Sequence, residues 1–184
     1  MGRISGRDAE ATRRLVLDAA ARRFGSHGIE ASLDSIAELA GVSKGGLKYH
    51  FASKDALLRA LAEDQLLEFR AEVHSFIREG DDGPGRLTRA YVAATLDALT
   101  NADAMLEKHA LMAQLSTVPV VREACREDAA WWDAAIAADG ADPVTAALVV
   151  AAADGLAAAP LWGAEYAPEL LAQIGERLVD MTRA

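Results

Sequence analysis

The feature that most constrains this chain is a pair of short apolar-periodic runs split by only two residues. Leu33, Ile36, Ala37 and Ala40 recur at helical spacing and stop at Gly41; after Val42, Ser43 opens a second run, Lys44 to His50. Ser32 and Ser43 are good N-cap residues, because a serine oxygen accepts from one of the unpaired N–H groups of a first helical turn. Gly41 supplies the tight break after the first helix. Ala37, Val42 and Leu47 stand where they pack the two helices together, which is the helix-turn-helix pattern. The second run holds Gly45 and Gly46 in succession, each costing ~1 kcal/mol against alanine inside a helix. A helix that enters the DNA major groove gains from small residues in its first turn, since its backbone can approach base edges and phosphates closely. A loosely formed turn packed nowhere special tolerates the same two glycines.

Around this pair, alternating strand-like patterns are absent and alanine is abundant, which predicts an all-α chain. Leu15, Val16, Ala19, Ala20 and Phe24 give a helix from about Asp8 to Phe24, ended by the Gly25–Gly28 stretch; Arg23 falls within its apolar face and is expected to snorkel. Ser53 caps a long helix carrying Leu57, Leu58, Leu61, Leu66, Phe69, Val73, Phe76 and Ile77, closed by the linker at 80–85. Further helices are predicted at about 86–100, 103–115, 119–138, 143–159 and 168–182, with Pro143 and Pro168 marking starts. The expected organisation is a three-helix helix-turn-helix domain over 1–53 and a helical ligand-binding and dimerisation domain over 54–184, with helix 54–78 connecting them.

The formal net charge of the 184 residues is −9. It is unevenly spread: residues 1–55 hold nine Lys and Arg against seven Asp and Glu, the remainder ten against twenty-one. Such asymmetry fits a short module that meets a polyanion beside an acidic body, and equally a chance scatter of solvated charges. Cys125 is the only cysteine, which favours a reducing compartment. No signal-peptide core follows the starting Met, and the longest apolar run, Pro143 to Ala153, stops at Asp154, short of the ~20 residues that span a bilayer. A cytoplasmic location is expected.

Thr12 with Leu17-Asp-Ala-Ala20 and Phe24, Ser35-Ile-Ala37, Ala40-Gly-Val-Ser-Lys-Gly-Gly-Leu47 and Tyr49-His-Phe-x-Ser-Lys-Asp-Ala-Leu-Leu58 together resemble the tetracycline-repressor (TetR) family over about residues 9–62. Arg23 departs from the usual apolar residue, and Lys48 occupies a position often aromatic or polar. The resemblance implies a homodimer whose recognition helices, here about 44–50, enter successive major grooves of a near-palindromic operator. Lys44 is the candidate for guanine contact, with a phosphate-bound or solvated charge as the alternative, and Lys48, one turn on, suits either role. Tyr49 and His50 lie where family members hold phosphates, although Tyr49 also suits a scaffold aromatic and His50 a helix C-cap. Lys54 at the start of the long helix points at the phosphate backbone; Thr12, Ser32 and Ser43 add neutral contacts, and Gly45 and Gly46 the close approach. Arg3 and Arg7 form a candidate minor-groove arm.

Enzyme readings fail on context. Gly41-Val-Ser-Lys-Gly45 matches the nucleophile-elbow spacing around Ser43, yet an elbow follows a buried strand and this stretch follows a capped helix. His27, His50, His74 and His109 show no paired ligand spacing, and no glycine loop cradles a phosphate, so neither metal nor cofactor is expected.

Past residue 62 the resemblance fades. Helix 143–159 presents Ala146, Ala147, Val150, Ala151 and Ala158, small side chains that admit a close neighbour, beside Leu148 and Leu156, and helix 168–182 presents Leu170, Leu171, Ile174, Leu178 and Met181. The pair resembles the helices through which family members dimerise as a four-helix bundle, intradomain packing being the alternative. Tyr91, Met105, His109, Met112, Trp131, Trp132 and Trp162 are the candidate lining of an effector pocket; adjacent Trp131 and Trp132 cannot share one direction on a helix, so one faces inward and the other outward. Asp97, Glu107, Asp128 and Asp133 nearby favour a cationic aromatic ligand or are solvated carboxylates. The expected function is a repressor released from operator DNA by a small hydrophobic effector, either neutral or cationic. The alternatives are an effector-free DNA-binding protein and a helical small-molecule binder with a vestigial DNA-binding motif.

Overall fold

The computed structural model describes residues 6–183, and every regular element among them is helical. In chain order these are α1 (Gly6–His27), α2 (Leu33–Ala40), α3 (Lys44–His50), α4 (Lys54–Ser75), α5 (Arg86–Ala98), α6 (Ala102–Leu115), α7 (Pro119–Ala138), α8 (Pro143–Ala158) and α9 (Pro168–Met181). Short 3-10 turns, Leu99–Asn101 and Ala159–Trp162, extend α5 and α8. The caps read from sequence are present: Ser32 Oγ accepts from the Ser35 N–H at 3.1 Å, Ser43 Oγ from Gly46 at 3.0 Å and Ser53 Oγ from Ala56 at 3.1 Å. Gly41 sits at φ 68°, a left-handed conformation a side chain resists, and so ends α2. α1 begins two residues before the predicted start and therefore includes Arg7; Arg3 of the expected arm lies outside the described residues.

The chain packs as two units. The first combines residues 1–65 with 110–125, the second 66–109 with 126–184, a division that differs from the one expected at 53 because α4, α6 and α7 each contribute to both. The core of the first unit joins Val16, Leu17, Ala20 and Phe24 of α1 to Ile36, Leu47, Leu57 and Leu61, with Leu111, Leu115 and Val121 closing it. One correction concerns α1, where Leu15 is exposed and Leu17 buried. Two residues are about 200° around a helix, so the two leucines cannot share a face, and Phe24 and Ala20 side with Leu17. Arg23 is half-buried on the flank of that face. Arg13 lays its guanidinium over the Phe51 ring at 5.5 Å, tying α1 to the turn after α3.

In the second unit, Val73, Leu87, Ala90, Tyr91, Val92, Trp132, Val149, Ala153, Leu156 and Leu178 form the core. The linker at 80–85 is organised by Arg89, which donates to the Asp81 carboxylate at 2.8 Å, to the Pro84 carbonyl at 2.8 Å and to Thr182 Oγ1 at 3.2 Å. Hydrogen bonding to Arg89 holds the Asp81 carboxyl below its ordinary range. Gly85 provides no side chain to cap α5, and Asp139, just after α7, does so instead, accepting from the Leu87 and Thr88 N–H groups at 2.9 and 3.2 Å. Pro143–Trp162 corrects a sequence expectation: the apolar run resumes after Asp154, and the helical stretch is long and apolar enough, by length and composition alone, to cross a membrane.

Candidate nucleic-acid interface and ligand-binding region

α3 is held to the first unit by one fully buried residue, Leu47, and by the turn at Phe51, whose N–H returns to the Leu47 carbonyl at 2.8 Å. Phe51, rather than His50, is thus the C-cap. Lys44, Gly45, Lys48 and Tyr49 are left on the outside, and Tyr49 is 83% exposed despite being aromatic. Its ring meets that of half-buried His50 edge-on at 5.2 Å. A scaffold aromatic would be covered, and Tyr49 is not.

The glycine pair divides by space. A methyl group at Gly46 would sit 3.3 Å from the capping Ser43 oxygen, whereas at Gly45 the nearest such atom is 3.9 Å away. Packing within the chain therefore gives Gly46 a local reason and leaves Gly45 without one. Lys44, expected to project freely, has its ammonium 2.5 Å from the Asp34 carboxylate of α2, both side chains being exposed. Asp34 is a residue the sequence reading missed: ten positions separate the partners, and only the turn between α2 and α3 brings them together. An exposed pair of this kind contributes ~0–1 kcal/mol, so a phosphate or base edge competes with it readily. Ser32 and Ser43 use their oxygens as caps but keep the hydroxyl proton to donate. Thr12 is half-buried on α1, and Lys54, also half-buried, opens α4 immediately after its Ser53 cap.

Of the seven residues expected to line an effector pocket, Tyr91, Trp131 and Trp132 meet ring to ring, while Trp162 is exposed and Met112 packs on the core of the first unit. Trp132 is buried in an aromatic cluster with Phe69 and Tyr91, the Tyr91–Trp132 rings lying 5.0 Å apart. Burial, and then donation to Asp154 at 2.6 Å, raise the Tyr91 hydroxyl above its ordinary range, so it stays protonated. Trp131 is half-buried beside Trp132, the split expected of adjacent residues. Met105 is buried, with His109 Nδ1 3.0 Å from its carbonyl. The exposure of Trp162 is 84%. Of the four nearby carboxylates, Asp97, Glu107 and Asp133 are exposed, while Asp128 is buried and paired with Arg70. A cleft of about 510 Å³ opens elsewhere in the second unit, lined by His74, Ile77, Pro84, Arg86, Leu87 and Asp139 among others. It includes none of the seven.

On α8 and α9, Ala147 and Ala151 are exposed, Val150, Ala158, Leu171 and Ile174 half-buried, and Leu178 buried in the chain's own core. Leu148 and Leu170 are exposed, and so is Val144, which the sequence had not pointed to; Val144 and Leu148 are 68% and 57% exposed. Val144, Ala147, Leu148 and Ala151 recur at three- and four-residue spacing, an exposed apolar stripe that no described residue covers.

A capped two-helix turn with an outward-facing, lysine-bearing second helix, carried by an otherwise helical chain, defines the class of helix-turn-helix regulators. The chain belongs to the TetR family: residues 16–61 match the family described as bacterial regulatory proteins, tetR family, and residues 85–183 match the tetracyclin repressor-like C-terminal domain. Likeness thus extends well past residue 62, where the sequence reading lost it. The family consists of transcriptional regulators and not enzymes. The HTH-type transcriptional regulator SrpR of Pseudomonas putida is 36% identical over 100 residues, 54% of this chain and 45% of that protein. The chain therefore aligns with less than half the length of that relative. A TetR-family member from Streptomyces coelicolor A3 is 28% identical with a TM-score of 0.70, covering 91% of this chain and 97% of the other. The multidrug binding protein EbrR complexed with ethidium is 27% identical with a TM-score of 0.66, covering 91% and 98%.

Proposed function

We propose that the chain is a cytoplasmic, homodimeric repressor that reads a near-palindromic operator with α3 and leaves it when a small hydrophobic effector binds the second unit. The observation that carries the DNA reading is the bare outer surface of α3, where Lys44, Gly45, Lys48 and Tyr49 face outward around the single anchor Leu47. Lys44 is the base reader, Lys48 reads or holds a phosphate, and Tyr49, His50, Lys54, Thr12, Ser32 and Ser43 hold the backbone. Gly45, which has no reason for lacking a side chain within the chain, is accounted for by close approach to DNA.

Dimerisation is supported by the apolar stripe on α8 with exposed Leu170 on α9. A second copy accounts for these residues as well as for the length and apolarity of Pro143–Trp162, which a membrane reading would otherwise claim. Effector release is supported by the ligand complexes among the relatives, EbrR with ethidium in particular. α4, α6 and α7 each run from one unit into the other, so a ligand favouring one arrangement of these helices shifts the DNA-reading unit as well.

The mutual ring packing of Phe69, Tyr91 and Trp132 favours a second reading, a DNA-binding protein without an effector. One experiment addresses both. Sequences selected from random DNA are tested for salt-dependent binding, then challenged with a library of planar and hydrophobic compounds. Binding that weakens steeply with salt and is reversed by a compound supports the repressor; salt-dependent binding that no compound alters supports the second reading, and salt-insensitive binding sinks both.

A further inference from the structure

The aromatic cluster of the second unit is not purely apolar: it contains a cation. Arg70 of α4 stacks its guanidinium on the Trp131 ring, with Cζ 4.0 Å from the ring centroid, and donates from Nε to Asp128 Oδ1 at 2.6 Å; Nη2 reaches the same oxygen. His74 also meets Trp131, ring centroids 6.2 Å apart. One planar group is thus recognised in two ways, by a π-face above and a carboxylate at its edge, which are the features that select a delocalised cation over a compact ammonium. The arginine is 19% exposed and Asp128 11%, so the guanidinium lies close below the surface and has a short way out.

We propose that Trp131 and Asp128 form a binding site for amidinium or guanidinium compounds, and that in the ligand-free chain Arg70 occupies it as a tethered substitute. Exchange is charge-neutral: an aryl amidine offers the same plane to Trp131 and the same N–H groups to Asp128, and the displaced Arg70 carries its charge into water. A tethered competitor acts at high effective concentration, so it weakens the apparent affinity of a free ligand without altering the site itself. The inference rests on the ligand-responsive reading only for its effect at DNA.

The probe is benzamidine, added to the full chain without DNA. In the nitrogen-15 spectrum, the Arg70 Nε–H signal, identified by its loss in Arg70→Gln, is shifted by the Trp131 ring; benzamidine is expected to move it to the position of a solvated arginine. Calorimetry is expected to show Arg70→Gln binding benzamidine at least tenfold more tightly than the parent chain, and addition of Asp128→Asn to remove that gain. Should Arg70→Gln not fold, Arg70→Lys, which keeps the charge but loses the plane, takes its place with a smaller gain in the same direction. An Arg70 signal unmoved when benzamidine is in excess, or variants that bind no tighter than the parent, would overturn the proposal. Displacement of Arg70 without release of operator DNA keeps this site and removes the effector reading; release without displacement removes this site alone.

Discussion

The first unit and the α8–α9 pair treat apolar surface in opposite ways. In the first unit the apolar side chains of α1, α2, α3 and the start of α4 close on one another, with Phe24, Ile36, Leu47, Leu57 and Leu61 all fully buried. On α8, by contrast, Val144, Ala147, Leu148 and Ala151 line an exposed face that none of the described residues covers. Burial stabilises roughly 25 cal/mol per Å² of apolar surface, so a face left open is surface that a second copy gains by covering. The lesson is that the helix-turn-helix unit closes its own core while α8 leaves an apolar face open, and that, in the proposed function, reading two half-sites depends on covering that face.

The largest expected effect strikes the open face. Ala151→Trp places a bulky side chain in the stripe and is expected to give monomers by light scattering, with operator affinity down about 10²–10⁴-fold through loss of linkage between two heads. A variant that stays dimeric and binds normally would move the interface away from α8. Next, Leu47→Ala attacks the closed core: it removes the single anchor of α3, and chemical denaturation is expected to show a loss of about 2–5 kcal/mol. An unchanged midpoint would mean that α3 is held by something other than Leu47.

How far the comparison was legible in sequence differs between the two regions for a physical reason. Caps and turns are local, so Ser32, Gly41, Ser43 and Ser53 set the ends of α2, α3 and the start of α4 where the sequence predicts them. A helix face is less local, since an apolar residue at its edge sides with whichever neighbour packs nearby, and Leu15 was exchanged for Leu17 on that account. Contacts distant in sequence were not legible at all. Nothing in residues 110–125 announces that Leu111, Leu115 and Val121 join the first core, and no spacing rule pairs Lys44 with Asp34 or Arg70 with Asp128. The tryptophan pair shows the same limit: adjacency required the two rings to diverge, but only packing determined that Trp132 enters the core while Trp131 receives Arg70.

Smaller effects sharpen the account of α3 itself. Lys44→Ala is expected to relax discrimination at one base position of each half-site, about 1–3 kcal/mol per lost base contact, whereas Lys54→Ala weakens all sequences alike and flattens the salt dependence. Selection of bound DNA with each variant separates these outcomes; uniform weakening with Lys44→Ala would return that lysine to a phosphate role. The smallest change has opposite signs on two axes. Gly45→Ala has room for its methyl group and should stabilise the free chain by about 0.4–1 kcal/mol in thermal unfolding while weakening operator binding. Stabilisation with unaltered binding would leave Gly45 without a role at DNA.

The central claim, two α3 helices of one dimer reading one operator, is tested most directly by sedimentation of the chain with a selected duplex and with the same duplex scrambled in one half. The account predicts two chains on the intact duplex, bound together, and an affinity at least a hundredfold lower when one half is scrambled. One chain per duplex, bound equally well to both DNAs, would contradict it.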